Sequence, residues 1–232
     1  MDELIPVGDD GHRLAIRCYG DGSPAVILET GFPGAGTEDF PETALSSLAE
    51  ETMVCAYDRG GEGLSDALPE RRRSVDDLSD DLHELTEKAE IDKPYVVAGA
   101  SFGGLVAVHH AGRHPEDVAG IVMLDVPSPN PAFAAKFAIS SEWDHPKNLT
   151  RVAAVDVEER LSDPLPLERI PLTVVTAESG DSDERDQRYW LDLTPLATQR
   201  TAAEGHDIFA ENPRTAVKAI RETVQQASGP AP

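Results

Sequence analysis

The sequence predicts an α/β fold: a mostly parallel, twisted sheet with helices on both faces. Three observations carry this. Five short apolar runs, 25–28, 53–57, 95–98, 121–124 and 172–176, have the continuous hydrophobicity of strands buried on both faces. Segments with helix-starting residues and helical spacing lie between several of them, and alternating strands and helices make a parallel sheet. Glycine-rich turns follow the strands at 29–36, 58–66 and 99–104. The 232 residues suit one domain, with neither an internal repeat nor a second core in the pattern.

In chain order, the turn Asp9-Asp10-Gly11 and the alternation of Leu14, Ile16 and Cys18 predict a hairpin. The first buried strand covers 25–28. Asp39 is placed to cap a helix carrying Phe40, Leu45 and Leu48. After the strand at 53–57, Ser74 with Asp77 three residues on marks a helix start. Its apolar stripe is Val75, Leu78, Leu82, Leu85 and Ala89, and Asp76, Asp77, Asp80 and Asp81 read as its solvated face. The strand at 95–98 leads into a helix through His114. The strand at 121–124 ends at Asp125. Pattern is weak from 126 to 170, where prolines are frequent, and that predicts a small cap of short helices rather than a long loop. The expected organisation is a core of 1–127 with 170–232, and a cap of 128–169. Strands at 172–176 and 198–202 and a closing helix from Asn212-Pro213 complete the chain.

Composition excludes several classes. A net charge of −23 repels nucleic acid and anionic membranes and favours a neutral, largely apolar small-molecule substrate. No run approaches the roughly 18 apolar residues of a membrane span. The N-terminus lacks the pattern of a signal peptide, so a cytoplasmic location is expected. Cys18 and Cys55 read as buried free thiols in preference to a disulfide. No metal or organic cofactor is expected: Cys/His clusters with zinc spacing and dinucleotide or phosphate loops are both missing. The sequence is silent on oligomeric state.

The most informative stretch is Gly99-Ala100-Ser101-Phe102-Gly103, set between a strand and a helix. This spacing builds a sharp, strained turn that presents the serine above the sheet, with flanking glycines letting neighbouring backbone approach. The helix beginning there points its N–H groups at the reacting centre. A serine hydroxyl is a poor nucleophile without a base within reach. Seven histidines compete. His12 lies in the first hairpin, His83 on the acidic helix, His109, His110 and His114 on the helix after Ser101, and His145 in the cap. His206 alone follows the last strand, at the carboxyl edge where such sites form.

Four segments, 28–36, 57–66, 99–104 and 205–206, together resemble the α/β-hydrolases in type and order, and they span nearly the whole chain. The resemblance implies Ser101 as nucleophile, His206 as base and an acid after one of two strands. Asp125 is favoured because it ends an apolar run directly, as in branches that include haloalkane dehalogenases and lactone-cleaving zearalenone hydrolases. Asp181 and Asp183 are the alternative. The resemblance also implies oxyanion donors at Phe32 and Phe102. Glu29-Thr30-Gly31-Phe32 stands where many members carry a His-Gly pair. Phe133, Phe137 and Trp143 are expected to line the substrate pocket from the cap. The implied activity is hydrolysis of a carboxylic ester or lactone. An acyltransferase with the same three residues and a non-catalytic ligand receptor are the alternatives. A serine nucleophile argues against the carboxylate-nucleophile chemistry of dehalogenases and epoxide hydrolases.

Overall fold

The computed structural model describes residues 1–129, 142–162, 167–179, 187–203 and 205–229. Eight strands form one sheet: β1 (Asp2–Val7), β2 (His12–Tyr19), β3 (Val26–Glu29), β4 (Val54–Tyr57), β5 (Tyr95–Ala100), β6 (Val118–Leu124), β7 (Leu172–Ala177) and β8 (Ala197–Ala202). Their spatial order is β1-β2-β4-β3-β5-β6-β7-β8. β2 runs antiparallel to β1 and β4, and every other pairing is parallel. From β3 the chain crosses to β4 on one side and then to β5 on the other. The strand order therefore reverses between β3 and β5, and the crevice for a ligand opens at their carboxyl ends.

Every residue of β3, β4 and β7 is buried, as continuous apolar runs require. Alternate strand residues feed two cores. Ile27, Val97, Ile121 and Met123 pack with the helices α2 (Val75–Lys88) and α3 (Phe102–Arg113). Val26, Leu28, Val96, Ala98 and Val122 pack with α1 (Glu42–Ala49), α5 (Ile208–Glu211) and α6 (Pro213–Ala227) on the other face. A further helix, α4 (Ala154–Leu161), lies in the segment expected to form the cap. Val152, Val157 and Leu161 belong to the same apolar cluster as Val75, Leu78 and Leu105, so this part of the insert packs into the body of the domain.

The α2 start is as expected: the Ser74 hydroxyl accepts from the Asp77 N–H, and the Asp77 carboxylate accepts from the Ser74 N–H. Three local expectations are corrected. Asp39 does not cap α1. Pro41 holds that position, and the Asp39 carboxylate accepts from the Ala35 N–H at 2.9 Å within a short 3-10 turn. The acidic face of α2 is not simply solvated. Asp81 is buried and bonds to Arg73 at 2.7 Å and to His12 at 3.1 Å, while Asp76 bonds to His109 at 2.6 Å. Cys18 and Cys55 are not free thiols. β2 and β4 place them directly opposite each other, and they form a disulfide with their Cα atoms 4.1 Å apart. Among the described residues no helix is long and apolar enough to cross a membrane.

Candidate active site

Ser101 joins β5 to α3 with φ 50° and ψ −120°, a conformation costing a non-glycine residue on the order of 1–3 kcal/mol. The turn is held by the Ser101 N–H donating to the Leu124 carbonyl at 3.0 Å. Its tightness depends on glycine. A Cβ on Gly103 would stand 2.5 Å from the carbonyl oxygens of Glu29 and Thr30, so the elbow and the loop after β3 meet backbone to backbone. Phe102 is the first residue of α3, and its N–H belongs to the helix turn that has no internal partner.

His206 lies between β8 and α5, its side chain 37% exposed. The turn is pinned on both sides: the Gly205 N–H donates to Glu211 Oε2 at 2.8 Å, and the Asp207 carboxylate accepts from the Ala210 N–H at 3.0 Å. His206 Nδ1 stands 2.6 Å from Asp125 Oδ2. Asp125 is fully buried at the end of β6, and its own N–H donates to the Val175 carbonyl at 2.8 Å. Its second oxygen, Oδ1, accepts from Gln187 Nε2 at 2.6 Å and from the Ala177 N–H at 3.3 Å. Two donors on one oxygen suit an ionised carboxylate, which can only accept. With Nδ1–H donating to that carboxylate, Nε2 is the ring nitrogen that carries a lone pair. The alternative acids, Asp181 and Asp183, lie outside the described residues.

Behind the loop after β3 sits a buried ionic cluster that the sequence reading missed. Arg59, 2% exposed, pairs with Glu29 at 3.3 Å and with Glu62 at 3.1 Å. It donates to the Thr30 carbonyl at 2.8 Å and to the Gly31 carbonyl, and its guanidinium lies 5.3 Å from the Phe102 ring centroid. Tyr57 donates to Glu29. Burial pushes the Glu29 carboxyl up to about 7 against the pull of Arg59. Burial opposes the charge on Arg59, but Glu62 and Glu29 hold that group above its ordinary value. In a planar trans peptide the C=O and the following N–H point opposite ways, so Arg59 at the Gly31 carbonyl turns the Phe32 N–H away from itself. One guanidinium thus contacts both segments expected to supply oxyanion donors. The Phe32 and Phe102 rings stand 5.8 Å apart.

A cavity of about 190 Å³ opens beside Ser101, lined by Thr30, Gly31, Phe32, Phe40, Ser101, His206 and Phe209, with Asp39 and Asp207 among the remaining lining residues. Ser101, His206 and Phe32 thus share one wall system. Trp143, half-buried, is not among the lining residues, and Phe133 and Phe137 lie outside the described residues. The other described histidines are engaged elsewhere. His110, fully buried against Tyr95 and Ser79, is pushed down to about 3 by burial. The ligand atoms of His83, His114 and Asp117 lie within 4.8 Å of one another. The two rings are stacked at 4.2 Å and 13°, which does not let both lone pairs meet one ion in the ring planes, and Lys93 already occupies Asp117 at 2.9 Å.

The α/β hydrolase fold model matches residues 24–190, well over half of the chain. The chain belongs to the α/β-hydrolase fold family. It is 32% identical over 143 residues to a pimeloyl-[acyl-carrier protein] methyl ester esterase of Chromobacterium violaceum, covering 62% of this chain and 50% of that protein. It is 30% identical over 109 residues to a putative carbamate hydrolase of Yersinia enterocolitica, covering 46% and 38% respectively. The matched stretches span at most half the length of the curated relatives, down to 18%. A thermophilic esterase from Thermogutta terrifontis superposes with a TM-score of 0.81 at 20% identity, covering 99% of this chain and all of that one, a likeness of fold alone.

Proposed function

We propose that this α/β-hydrolase cleaves a neutral, largely apolar carboxylic ester or lactone through an acyl-enzyme on Ser101. The observation that carries the reading is the convergence of three groups. Ser101 sits on a strained elbow, His206 lines the same small cavity, and the buried Asp125 holds the far side of the imidazole at 2.6 Å. The esterase and carbamate hydrolase names among the relatives support the same class.

In the proposed sequence, His206 Nε2 takes the Ser101 proton as Oγ attacks the carbonyl carbon. The developing oxyanion is met by the N–H groups of Phe102 and Phe32. The imidazolium then returns its proton to the leaving alcohol, or to the ring-opened hydroxyl of a lactone. Water, deprotonated by the same nitrogen, releases the acid. Asp125 stays ionised and stabilises the imidazolium. Phe32, Phe40 and Phe209 give the cavity its apolar walls, fitting an uncharged acyl group.

Labelling with a fluorophosphonate, followed by a panel of ester and lactone substrates, tests the reading. Covalent labelling that Ser101→Ala abolishes is the expected result. Undiminished labelling of that variant would overturn it.

A further inference from the structure

Gln187 is a wholly buried amide just before the short 3-10 turn Tyr189–Leu193, and the proposed chemistry gives it no task. Its two ends are not equivalent. Nε2 donates to Asp125 Oδ1 at 2.6 Å, and Oε1 accepts from the Thr176 hydroxyl at 2.8 Å. Thr176 Oγ1 in turn accepts from Gln199 Nε2 at 2.9 Å. A hydroxyl has one proton. Once it accepts from Gln199 it is free to donate to Gln187, and that donation assigns Oε1 to the threonine side. The amide nitrogen is then left facing the carboxylate. Rotating the amide would set Oε1 against Asp125 Oδ1, two buried acceptors in contact with no proton between them.

We propose that Gln187 is a positioning residue, the inner member of a Gln199–Thr176–Gln187 relay that holds Asp125 as an acceptor toward His206. The relay runs from β8 at the sheet edge, through β7, to the acid at the end of β6. It fixes one carboxylate oxygen so that the other faces Nδ1, and through Nδ1 it assigns Nε2 as the base. Trp190 Nε1 donates to the Val126 carbonyl at 3.2 Å, which anchors the turn after Gln187 to the residue after Asp125. The inference rests on the hydrolase reading for its effect on rate, but not for its effect on the imidazole.

The test uses the intact enzyme, an activated ester, and proton NMR of the low-field His206 Nδ1–H resonance without substrate. Gln187→Leu should lower kcat by roughly 10–100-fold, the cost expected when an outer partner of a site residue is lost. KM should change by less than about threefold, because no substrate contact is removed. The low-field resonance should weaken or vanish. Thr176→Val should give a smaller loss with the same resonance change, while Thr176→Ser, which keeps the hydroxyl, should restore the wild-type behaviour. If Gln187→Leu does not fold, the nearly isosteric Thr176→Val and the half-buried Gln199→Leu carry the same comparison. Wild-type kcat in folded Gln187→Leu, a loss confined to KM, or an unaltered resonance would overturn the relay. Failure of the wild type to label with a fluorophosphonate would instead overturn the hydrolase reading, and the resonance would still report on the relay.

Discussion

At Ser101 the reactive hydroxyl and the strained backbone are one feature, since the positive φ lifts the side chain off the sheet. Ser101→Ala keeps the backbone and removes only the oxygen. His206→Ala should lower kcat by several orders of magnitude, and His110→Ala far less, because His110 is sealed against Tyr95 on the other side of α3. Steady-state kinetics on the two variants decide it, and comparable losses would place the base elsewhere. Asp125→Asn should cost roughly 10³–10⁴ in kcat by leaving the imidazole in the wrong tautomer. The placement of Ser101 and Asp125 directly after strands, and of His206 in the segment beyond the last strand, was legible because the apolar runs fix those positions. Gln187 and Arg59 were not. Each lies in a polar or glycine-rich loop with no period, and only folding brings it to partners more than twenty residues away.

Among elements, the elbow and the loop after β3 behave as one unit because their backbones touch at Gly103. Gly103→Ala would drive a Cβ to 2.5 Å from two carbonyl oxygens, so either α3 or the loop carrying Phe32 must shift. We expect a loss of kcat with a lowered midpoint of thermal unfolding. A variant unchanged in both would show that the contact is slack. On α2 the prediction is energetic alone: Ser74→Ala removes an N-cap bond and should cost about 1 kcal/mol in urea unfolding, with activity preserved. The helix and its start were readable from spacing. The burial of Asp81 was not, since its partners His12 and Arg73 come from outside the helix.

Across the whole molecule the buried histidines pull stability in opposite directions: His110, pushed down to about 3 by burial, loses stability as pH falls below about 6.5, whereas His12 gains it as pH falls toward that value. The hydrogen bond that His12 donates to Asp81, followed by the one it donates to Asp10, holds the imidazole above its usual value, despite burial. Its contribution is fully present below about 6.5 and is lost as pH rises through the raised value. Glu29, pushed up from 4.5 to about 7 by burial, also loses stability as pH rises, but between those two values, because its charged form is the costly one. Asp10, held low by its bond to His12, contributes stability above about 4 that is lost as pH falls. The stability advantage of the wild type over His12→Gln, read from urea midpoints, should therefore shrink as pH rises above about 6.5. A wild-type advantage over His12→Gln that grows as pH rises above about 6.5 would contradict the assignment. The sheet's layered alternation was legible from apolar runs, but the pairing of β2 with β4 was not, because strand order is set by crossovers rather than by any strand's own residues. That pairing is what sets Cys18 opposite Cys55 and lets them form a disulfide.

The bond between Cys18 and Cys55 closes a covalent ring with a sequence separation of 37, and β3, the Phe32 loop and α1 all lie inside it. A single protease cut anywhere in that arc leaves one molecule of unchanged mobility on a non-reducing gel and two fragments once a thiol is added. A nick beside Phe32 could thus abolish activity while the protein still ran as intact on a non-reducing gel.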